Sequence, residues 1–340
     1  MNILGIETSC DETSLSLIKD GEKILNQQTS SSLRYHRKYG GVVPEIASRM
    51  HLEVIGFLFE VLWKQSGLTP KDINLVAVTT GPGLLGSLLV GVCFAKAISY
   101  ALDVSLVGVN HLHGHLYAVF LGEERKKIKF PFIGLVVSGG HTCLFYVRDF
   151  LEPYLLGSTL DDACGEVLDK VARVLNLGYP GGPIIERLAR KGNPKGIHFN
   201  PIKTKNPLDF SFSGVKTAVL YYLKQRGYKI DSLSKSIKVP LGLIRDICAS
   251  FQEVVFDSLI EKSLLACKLK KVDTVVVGGG VAINNRLREK FFISAKKEKI
   301  KVYFSPPQLC LDNASMIAGL GYILFKFGKR DSFTLKIHTD

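Results

Sequence analysis

Residues 3–18 read ILGIETSCDETSLSLI, an apolar run, a polar turn and a second apolar run. Residues 132–147 repeat this form as FIGLVVSGGHTCLFYV, with a turn that is rich in glycine. Short apolar runs separated by turn residues predict the two strands of a hairpin. The Asp20-Gly21 pair after the first copy marks a further hairpin turn. Two copies of one opening indicate a chain that runs through the same series of elements twice.

The later elements of the two halves also correspond. In the first half, a strand at residues 75–78 leads into GPGLLG and a helix. In the second half, a strand at residues 274–277 leads into three glycines and a helix. Each half then ends with a strand and a helix, at 105–109 before NHLHGH and at 302–304 before DNASM. The sequence therefore predicts an α/β protein of two similar lobes, with turns at the strand ends facing a ligand cleft.

The lobe boundary falls after residue 130 in this scheme. Residues 1–130 form the first α/β lobe and residues 131–340 the second. A chain of 340 residues with 46% hydrophobic residues can bury two cores of this size. Helical insertions interrupt the lobes at residues 45–64 and at about residues 184–268, and insertions of this kind usually set the choice of partner or substrate.

The chain is basic, with 44 Lys and Arg against 31 Asp and Glu and a net charge of +13. Such an excess raises the local concentration of polyanions and is typical of proteins that bind nucleic acid. A solvated surface gives the same total, so charge alone leaves both interpretations open.

The sequence favours a reducing compartment. Its seven cysteines are scattered without a CxxC pair, which argues against a disulfide framework or a cysteine metal site. Glu7, Asp11 and Glu12 leave no room for the basic and apolar regions of an export signal. Residues 75–95 are uncharged, but the glycines and proline at their centre favour a strand, a turn and a buried helix over a membrane span. We therefore expect a cytoplasmic protein with no membrane partner.

Glycine-rich turns follow three of the predicted strands, as GPG in the first half and as SGG and GGG in the second. Glycine lets the backbone approach a phosphate closely and aim N–H groups at it. A single turn of this type is better explained as a tight strand-to-helix connection. Three such turns at equivalent places in a duplicated fold favour a nucleotide bound between the lobes.

His111 and His115 are four residues apart, so a helix puts both imidazoles on one face, where they can share a divalent ion. Such pairs also occur by chance on helix surfaces, and a site needs a third ligand. The repeat supplies one, because Asp312 starts the helix that corresponds to the histidine-bearing helix. Two histidines and a carboxylate leave coordination positions open and suit Fe(II) or Zn(II).

The same residues have structural interpretations. Asp312 could be an ordinary helix N-cap in its Asp-Asn-Ala-Ser context. His113 points to another side of the helix, where it would face solvent or support the ligands. The HLHGH segment lacks the glutamate of the HExxH zinc-protease helix, which disfavours a protease of that type.

Two groups of carboxylates are further candidates. Asp162, Glu166 and Asp169 recur at helical spacing opposite an apolar stripe. Solvated surface is the usual explanation, but part of this acidic face could reach the ribose of a nucleotide. Asp11 and Glu12 in the first polar turn are weak candidates for a general base, and local hydrogen bonding in the turn is the stronger alternative.

Nine longer segments are distinctive as a set. They are GIETSCDETS (5–14), GGVVPEIASRMH (40–51), NHLHGH (110–115), VSGGHT (137–142), DDACGEVLDK (161–170), YPGGP (179–183), SFSGVKT (211–217), GGVAINNRLRE (279–289) and LDNASMIA (311–318). In these segments the chain resembles, nearly end to end, the TsaD family of tRNA N6-adenosine threonylcarbamoyltransferases.

The resemblance implies an actin/Hsp70/sugar-kinase-like (ASKHA) fold with two lobes around a nucleotide cleft. It also implies transfer of a threonylcarbamoyl group from threonylcarbamoyl-AMP to N6 of adenosine 37, in tRNAs that read codons beginning with A. The metal ligands of the family fall on His111, His115 and Asp312, and we expect one divalent ion, Fe(II) first and Zn(II) second. Its substrate-binding positions fall on Val136, Val137, Ser138, Gly139, Gly140, Asp169, Gly182, Glu186 and Asn284.

The resemblance has one departure and implies two partners. Some relatives add a tyrosine ligand from the strand before the SGG turn, where this chain has Leu135-Val136-Val137. A water or the substrate would have to fill that position. Bacterial members work with a TsaB-like paralogue and a TsaE-like ATPase, and the helix at residues 45–64 is our candidate for the surface that binds the paralogue.

Two other functions stay open at this point. Relatives were long described as glycoprotein endopeptidases, so a metalloprotease is the enzymatic alternative. A nucleotide-gated scaffold of the Hsp70 kind is the non-enzymatic alternative, and such a scaffold would have no use for the metal ligands.

Overall fold

The computed structural model of the protein describes residues 1–228 and 239–339. It contains two β-sheets of five strands each. The strands are β1 (Asn2–Glu7), β2 (Glu12–Lys19), β3 (Lys23–Ser31), β4 (Leu75–Gly81), β5 (Ser105–Asn110), β6 (Phe132–Val137), β7 (Thr142–Val147), β8 (Tyr154–Ser158), β9 (Thr274–Gly278) and β10 (Lys301–Phe304). The first sheet has the order β3-β2-β1-β4-β5 and the second the order β8-β7-β6-β9-β10.

The two sheets share one pattern of strand directions. β1 pairs antiparallel with β2 and parallel with β4, and β4 pairs parallel with β5. In the second sheet, β6 pairs antiparallel with β7 and parallel with β9, and β9 pairs parallel with β10. The central strands are continuous apolar runs, as expected where both faces of a sheet are covered. The duplication predicted from the sequence is confirmed.

Within the described residues, ten α-helices accompany the strands, and three of them begin at an asparagine side-chain cap. The ten helices are α1 (Leu33–His36), α2 (Pro44–Ser66), α3 (Leu85–Leu102), α4 (His111–Tyr117), α5 (Cys164–Val174), α6 (Gly181–Ala189), α7 (Ser213–Gln225), α8 (Leu241–Lys270), α9 (Asn285–Lys297) and α10 (Ala314–Lys326). Pro44 begins α2, and Gly67 ends it in left-handed backbone. Asn110, Asn284 and Asn313 cap α4, α9 and α10. These caps fix the starts of helices next to candidate site residues.

The chain forms two compact units. The first comprises Met1–Phe130, Arg148–Pro153 and Ser305–Asp340, and the second comprises Pro131–Val147 and Tyr154–Phe304. The repeat assigned all of residues 131–340 to the second lobe, but the last segment belongs to the first unit. The physical reason is α10, an apolar helix that packs on β1, β2 and β4. Gly5 permits this packing, since a Cβ there would lie 2.2 Å from the carbonyl oxygen of Ala314.

The predicted insertions are largely helical. The one expected at residues 45–64 is helix α2. The one expected at about residues 184–268 contains most of α6 and α8 and all of α7. Residues 229–238 of that insertion lie outside the described residues.

Among the described residues, α3 is the one helix long and apolar enough to cross a membrane by length and composition. A core helix passes the same test, so one such helix is a weak indication of a span. α3 buries one face, including Leu88 and Val92, and packs on β4. Residues 75–95 are divided among β4, a turn and α3, as the sequence predicts.

The C-terminal tail, residues 331–339, starts on β5, the edge strand of the first sheet, and reaches β4, where His338 N donates to the carbonyl of Thr80 at 2.8 Å. Asp331 pairs with Leu106 of β5 in an antiparallel bridge. Leu335 and Ile337 pack against the apolar core of the first unit. The tail thus covers backbone groups that would otherwise form a free sheet edge.

Candidate functional site

The two predicted histidine ligands lie on α4, immediately after β5. Asn110 caps this helix, because its side chain accepts N–H bonds from Leu112 at 2.9 Å and His113 at 3.2 Å. The helix puts His111 and His115 side by side, with ring centroids 4.6 Å apart. Both residues are buried, at 3% and 0% exposure. Buried imidazoles need partners for their polar nitrogens.

Asp312 brings a carboxylate to the same place. Its Oδ1 lies 3.0 Å from Nε2 of His115 and 3.5 Å from Nε2 of His111. The N-cap of α10 is Asn313, whose side chain accepts the N–H of Met316 at 3.0 Å. The interpretation of Asp312 as an N-cap is therefore wrong, and the helix begins after this residue rather than at it.

The three side chains form a group that could hold a metal ion. One donor atom from each lies within 4.8 Å of the other two. Both ring nitrogens of His115 are buried and, among the described residues, have no hydrogen-bond partner. Its Nε2 approaches Asp312 without the direction of a hydrogen bond, as expected of two ligands that converge on one cation. Two imidazoles and a carboxylate suit both Fe(II) and Zn(II).

A carboxylate that sequence reasoning missed lies behind His111. Glu7 ends β1 with a fully buried side chain, and its Oε2 lies 3.0 Å from Nδ1 of His111. Thr79 Oγ1 donates to the same carboxylate oxygen at 2.5 Å, and Ser9 N donates to the other at 2.6 Å. With Nδ1 turned to Glu7, the opposite nitrogen of the ring faces the other metal ligands.

Charge within this group shifts two pKa values in opposite directions. Burial alone would lower the pKa of His111, but the carboxylates of Glu7 and Asp312 outweigh it and raise the pKa to about 9. Burial alone would raise the pKa of Glu7, but the charge of His111 lowers that pKa below its ordinary value. A metal ion must therefore displace a proton from His111, and metal affinity should increase with pH up to about 9.

The general-base candidates Asp11 and Glu12 are outside the metal-ligand group. Glu12 begins β2, where Ser31 Oγ donates to its carboxylate at 3.3 Å. Burial, followed by the charges of Asp11 and Asp312, raises the pKa of Glu12 well above its ordinary value. A carboxyl group with a raised pKa keeps its proton to higher pH, so Glu12 would have to lose that proton before it could act as a base.

His113 projects from another side of α4 and does not belong to the metal-ligand group. It is half-buried, and burial together with the charge of Lys329 lowers the pKa of His113 to about 4. The sequence predicts that His113 faces solvent or supports the ligands. In the structure it is a neutral imidazole near the ammonium group of Lys329.

The candidate substrate residues all lie in the second unit. The first of them are Val136, Val137, Ser138, Gly139 and Gly140. The two valines are buried at the end of β6, whereas both glycines are exposed and have open space where a Cβ would lie. Ser138 closes the turn, since its N donates to the carbonyl of His141 at 2.9 Å and its Oγ accepts the N–H of His141 at 3.1 Å. A ligand can approach the glycine backbone from solvent.

Asp169 joins α5 to the start of α6. Its Oδ1 accepts the N–H of Gly181 at 2.6 Å, and the N–H of Gly182 also donates to this carboxylate. Burial raises the pKa of Asp169 in spite of these two donors. The structure therefore brings together two of the predicted substrate residues, Asp169 and Gly182.

The other two acids of the predicted face have basic partners. Asp162, which precedes α5, contacts Lys170 at 2.5 Å and Lys216 at 2.9 Å. Glu166 contacts Lys170 at 2.8 Å. These ion pairs engage the carboxylates within the protein, so the expectation of a ribose contact is restricted to Asp169.

Glu186 and Asn284 lie on neighbouring elements. Asn284 caps α9 and donates to Gln252 at 3.2 Å, so its polar atoms serve the fold. The next residue, Asn285, donates to Glu186 from N at 3.2 Å and from Nδ2 at 3.0 Å. Sequence reasoning missed Asn285, although the Asn-Asn pair at the start of the predicted helix was the available signal.

A cavity of about 500 Å³ opens beside Glu186. Its polar lining comes from α6, α8 and α9, with side chains of Glu186, Arg190, Gln252, Glu253, Asn285 and Arg286. Donors and acceptors of this variety, in a concave site of this size, suit a nucleoside-sized ligand.

Comparison with known proteins identifies the family. The family model for tRNA N6-adenosine threonylcarbamoyltransferase matches residues 23–319. A protein of that name from Dictyoglomus turgidum is 48% identical over 340 residues, which are 100% of this chain and 98% of the relative. Another from Clostridium kluyveri is 47% identical over 337 residues, which are 98% of this chain and 96% of the relative.

Solved structures with lower sequence identity share the fold. HypF of T. kodakarensis has a TM-score of 0.63 at 14% identity, over 96% of this chain and 48% of that protein. Component A of the (R)-2-hydroxyglutaryl-CoA dehydratase of Acidaminococcus fermentans has a TM-score of 0.54 at 15% identity, over 95% of this chain and 98% of that protein. These likenesses show the ASKHA-like fold alone. The sequence relatives decide the family, and the chain belongs to the TsaD family of tRNA N6-adenosine threonylcarbamoyltransferases.

Proposed function

We propose that this chain transfers a threonylcarbamoyl group from threonylcarbamoyl-AMP to N6 of adenosine 37, in tRNAs that read codons beginning with A. The observation that carries the proposal is the name shared by relatives that are 45–48% identical over nearly the whole chain. A net charge of +13 agrees with a tRNA substrate.

We further propose that His111, His115 and Asp312 bind one divalent ion, with Fe(II) first and Zn(II) second. Such an ion supplies Lewis-acid chemistry, which polarises a carbonyl or phosphoryl oxygen. The three converging donors and the buried imidazole of His115 fit this group. Glu7 lies 3.0 Å from Nδ1 of His111 and orients the ring, as carboxylates do behind ligating histidines.

The second unit offers groups for the adenylate. The exposed backbone of Gly139 and Gly140 can donate N–H bonds to its phosphate. Asp169 and Glu186 can accept bonds from ribose hydroxyls, and Asn285 can pair with the base through its amide. The cavity of about 500 Å³ gives room for the part of the ligand that contacts Glu186 and Asn285. The remaining predicted residues support these groups by packing and capping: Val136, Val137, Ser138, Gly182 and Asn284.

The reaction exchanges one bond at the carbamoyl carbon. The lone pair of N6 attacks this carbon, the C–N bond forms, the bond to the phosphate oxygen breaks, and AMP leaves with the electron pair. N6 loses one proton, and Asp11 and Glu12, which lie where the turn after β1 meets β2, are the candidate acceptors. Adenosine N6 is a weak nucleophile, so alignment and polarisation should contribute most of the rate, without a covalent enzyme intermediate.

We propose a cytoplasmic complex with a TsaB-like paralogue and a TsaE-like ATPase, without a membrane partner. The outer face of α2 is the candidate surface for the paralogue. Leu52 and Phe57 on this helix are 70% and 67% exposed. Large apolar side chains on an exposed helix face are typical of protein interfaces.

Nucleoside mass spectrometry of tRNA from cells depleted of the protein tests the function. We expect threonylcarbamoyladenosine to disappear on depletion, to return with the wild-type chain and to stay absent with His111→Ala. His113→Ala is the matched control, because His113 lies on the same helix outside the metal-ligand group, and it should restore the modification. Persistence of the modified nucleoside without the protein would overturn the function.

The same strains also test the two alternative functions, a metalloprotease and a non-enzymatic scaffold. The names of the relatives support neither alternative. A metalloprotease requires peptide cleavage that chelation abolishes, with tRNA unchanged on depletion. A scaffold requires that His111→Ala still supports the modification.

A further inference from the structure

The segment that follows Glu186 contains positively charged side chains and no negatively charged ones. From Arg187 to Leu208 the chain has six Lys or Arg residues and no Asp or Glu. All six side chains are exposed. We call them the basic face, and they are Arg187, Arg190, Lys191, Lys195, Lys203 and Lys205.

Carboxylates within residues 1–228 and 239–339 neutralise little of the basic face. Arg190 contacts Glu186 at 2.8 Å. For the other five residues, no carboxylate in the described part of the chain lies within ion-pair distance. Asp246 does touch the segment, but there it accepts the backbone N–H of Asn193 at 2.7 Å. Surfaces that serve only solubility interleave both signs of charge, so this one is suited to an outside polyanion.

The segment is held on the second unit by buried anchors. Ile197, Phe199 and Leu208 are buried, and Ile197 N donates to Ser250 Oγ of α8 at 3.1 Å. Lys262 of α8 donates to a carbonyl of the same segment at 3.0 Å. Apolar side chains turned inward leave the polar ones outward, so the basic face has a fixed backbone behind it. A fixed backbone lowers the entropy lost when a ligand binds.

The basic face adjoins the cavity beside Glu186. Gly192 and Pro194, which lie between its lysines, line this cavity together with Asn285. Arg190 belongs to both the basic face and the cavity wall. A long substrate that rests on the basic face would therefore pass the proposed adenylate site of the same unit.

We propose that the basic face binds the phosphodiester backbone of the tRNA, an inference that rests on the proposed function. Lys and Arg contacts to phosphates position a nucleic acid without reading its sequence. That mode of binding suits an enzyme that must accept several different tRNAs. It also places the polyanion beside a nucleotide site, which an acidic protein partner would not require.

Two triple variants of the full-length chain test the proposal. Lys195→Gln/Lys203→Gln/Lys205→Gln removes three charges from the basic face. The matched control neutralises three exposed lysines at the end of α9 and reaches the same net charge, 13 − 3 = +10. These control substitutions are Lys296→Gln, Lys297→Gln and Lys299→Gln. Fluorescence anisotropy of labelled, unmodified tRNA measures the affinity of each protein across a salt series.

Loss of three phosphate contacts should weaken tRNA binding by about 10- to 100-fold and lower the slope of log affinity against log salt by about 2 to 3. The control triple should stay within about threefold of the wild type. Equal affinities of the two triples, or a wild-type chain that binds no tRNA, would overturn the proposal. Displacement of the tRNA by polyglutamate as readily as by unlabelled RNA would also overturn it, in favour of an acidic protein.

A transfer assay with the assembled system separates this inference from the proposed function. If the wild type modifies tRNA and both triple variants have the same KM for tRNA, the proposed function is supported, and the proposal that the basic face binds tRNA is wrong. If the three proteins bind tRNA with the expected affinities but the wild type does not modify it, the proposal that the basic face binds tRNA is supported, and the proposed function is wrong.

Discussion

Glu7 is the residue that orients His111, one of the proposed metal ligands. Its Oε2 lies 3.0 Å from Nδ1 of His111, and donors from Thr79 and Ser9 fix the carboxylate. Glu7→Gln keeps the size of the side chain but removes its charge, so we expect metal affinity to fall by about 10- to 100-fold. Competition between the protein and a chromogenic chelator for Zn(II) measures this affinity.

Glu53→Gln is the control for that experiment, because Glu53 is also a carboxylate of the first unit but lies exposed on α2, outside the metal-ligand group. Its metal affinity should stay within about twofold of the wild type. Equal losses in the two variants would mean that net charge, rather than the orientation of His111, governs binding.

His113 makes the stability of the metal-free protein sensitive to acid. Burial and the charge of Lys329 lower the pKa of His113 from 6.5 to about 4. Between these values the unfolded chain binds a proton that the folded protein does not, so the free energy of unfolding falls as the pH falls. His113→Gln should flatten this part of the pH dependence. Urea unfolding at a series of pH values compares the two proteins, and parallel curves would contradict the prediction.

Local rules in the sequence were enough to predict that the three proposed metal ligands lie close together. Helical spacing gives His111 and His115, and the repeat gives Asp312. No such rule finds Glu7, whose partners Thr79 and His111 lie 72 and 104 positions further along the chain. Only the pairing of β1 with β4 and of β4 with β5 brings these strand ends together.

Among the helices, α10 has a cap that lies next to a proposed metal ligand, Asp312. Asn313 accepts the N–H of Met316 at 3.0 Å, one residue after Asp312. Asn313→Ala should lower the free energy of unfolding by about 1 kcal/mol and also weaken Zn(II) binding, because Asp312 loses its support. Asn284→Ala is the matched control, since it removes the cap of α9 in the second unit. We expect a similar loss of stability there and unchanged Zn(II) affinity.

Urea unfolding and chelator competition on both cap variants check this pair of effects. A loss of Zn(II) affinity in Asn284→Ala as large as in Asn313→Ala would contradict the local origin of the effect.

Elements with strong periodic signals were predictable, and weaker ones were not. The strand predicted at residues 132–137 is β6, with the same bounds. Strand β8 was missed, because Gly157 is its one buried residue and no alternation of apolar and polar side chains marks it. Helix α10 was found but assigned to the wrong unit. A repeat identifies the kind of element, whereas the sheet on which a helix packs depends on contacts distant in sequence.

For the whole molecule, the C-terminal tail stabilises the first unit by covering β5. Leu335 and Ile337 are half-buried against its core. The double substitution Leu335→Ser/Ile337→Ser should lower the free energy of unfolding by about 2 kcal/mol, because two partly buried aliphatic side chains are lost. Lys336→Ser/His338→Ser changes the exposed neighbours and should have little effect. Urea unfolding measures both, and equal losses would mean that the tail acts without its apolar contacts.

Helix α10 belongs to the first unit but is synthesised after the second unit, and this determines when the first unit can finish folding. A ribosome releases residues 1–130 first, but the sheet of the first unit lacks α10 until residues 314–326 emerge. The second unit, made almost entirely of residues 154–304, can fold while translation continues. Until α10 has emerged, β1 and β4 lack the helix that packs on them in the folded protein. Asp312 directly precedes this helix, so a nascent chain cannot bring the three proposed metal ligands together before residue 312 has been synthesised.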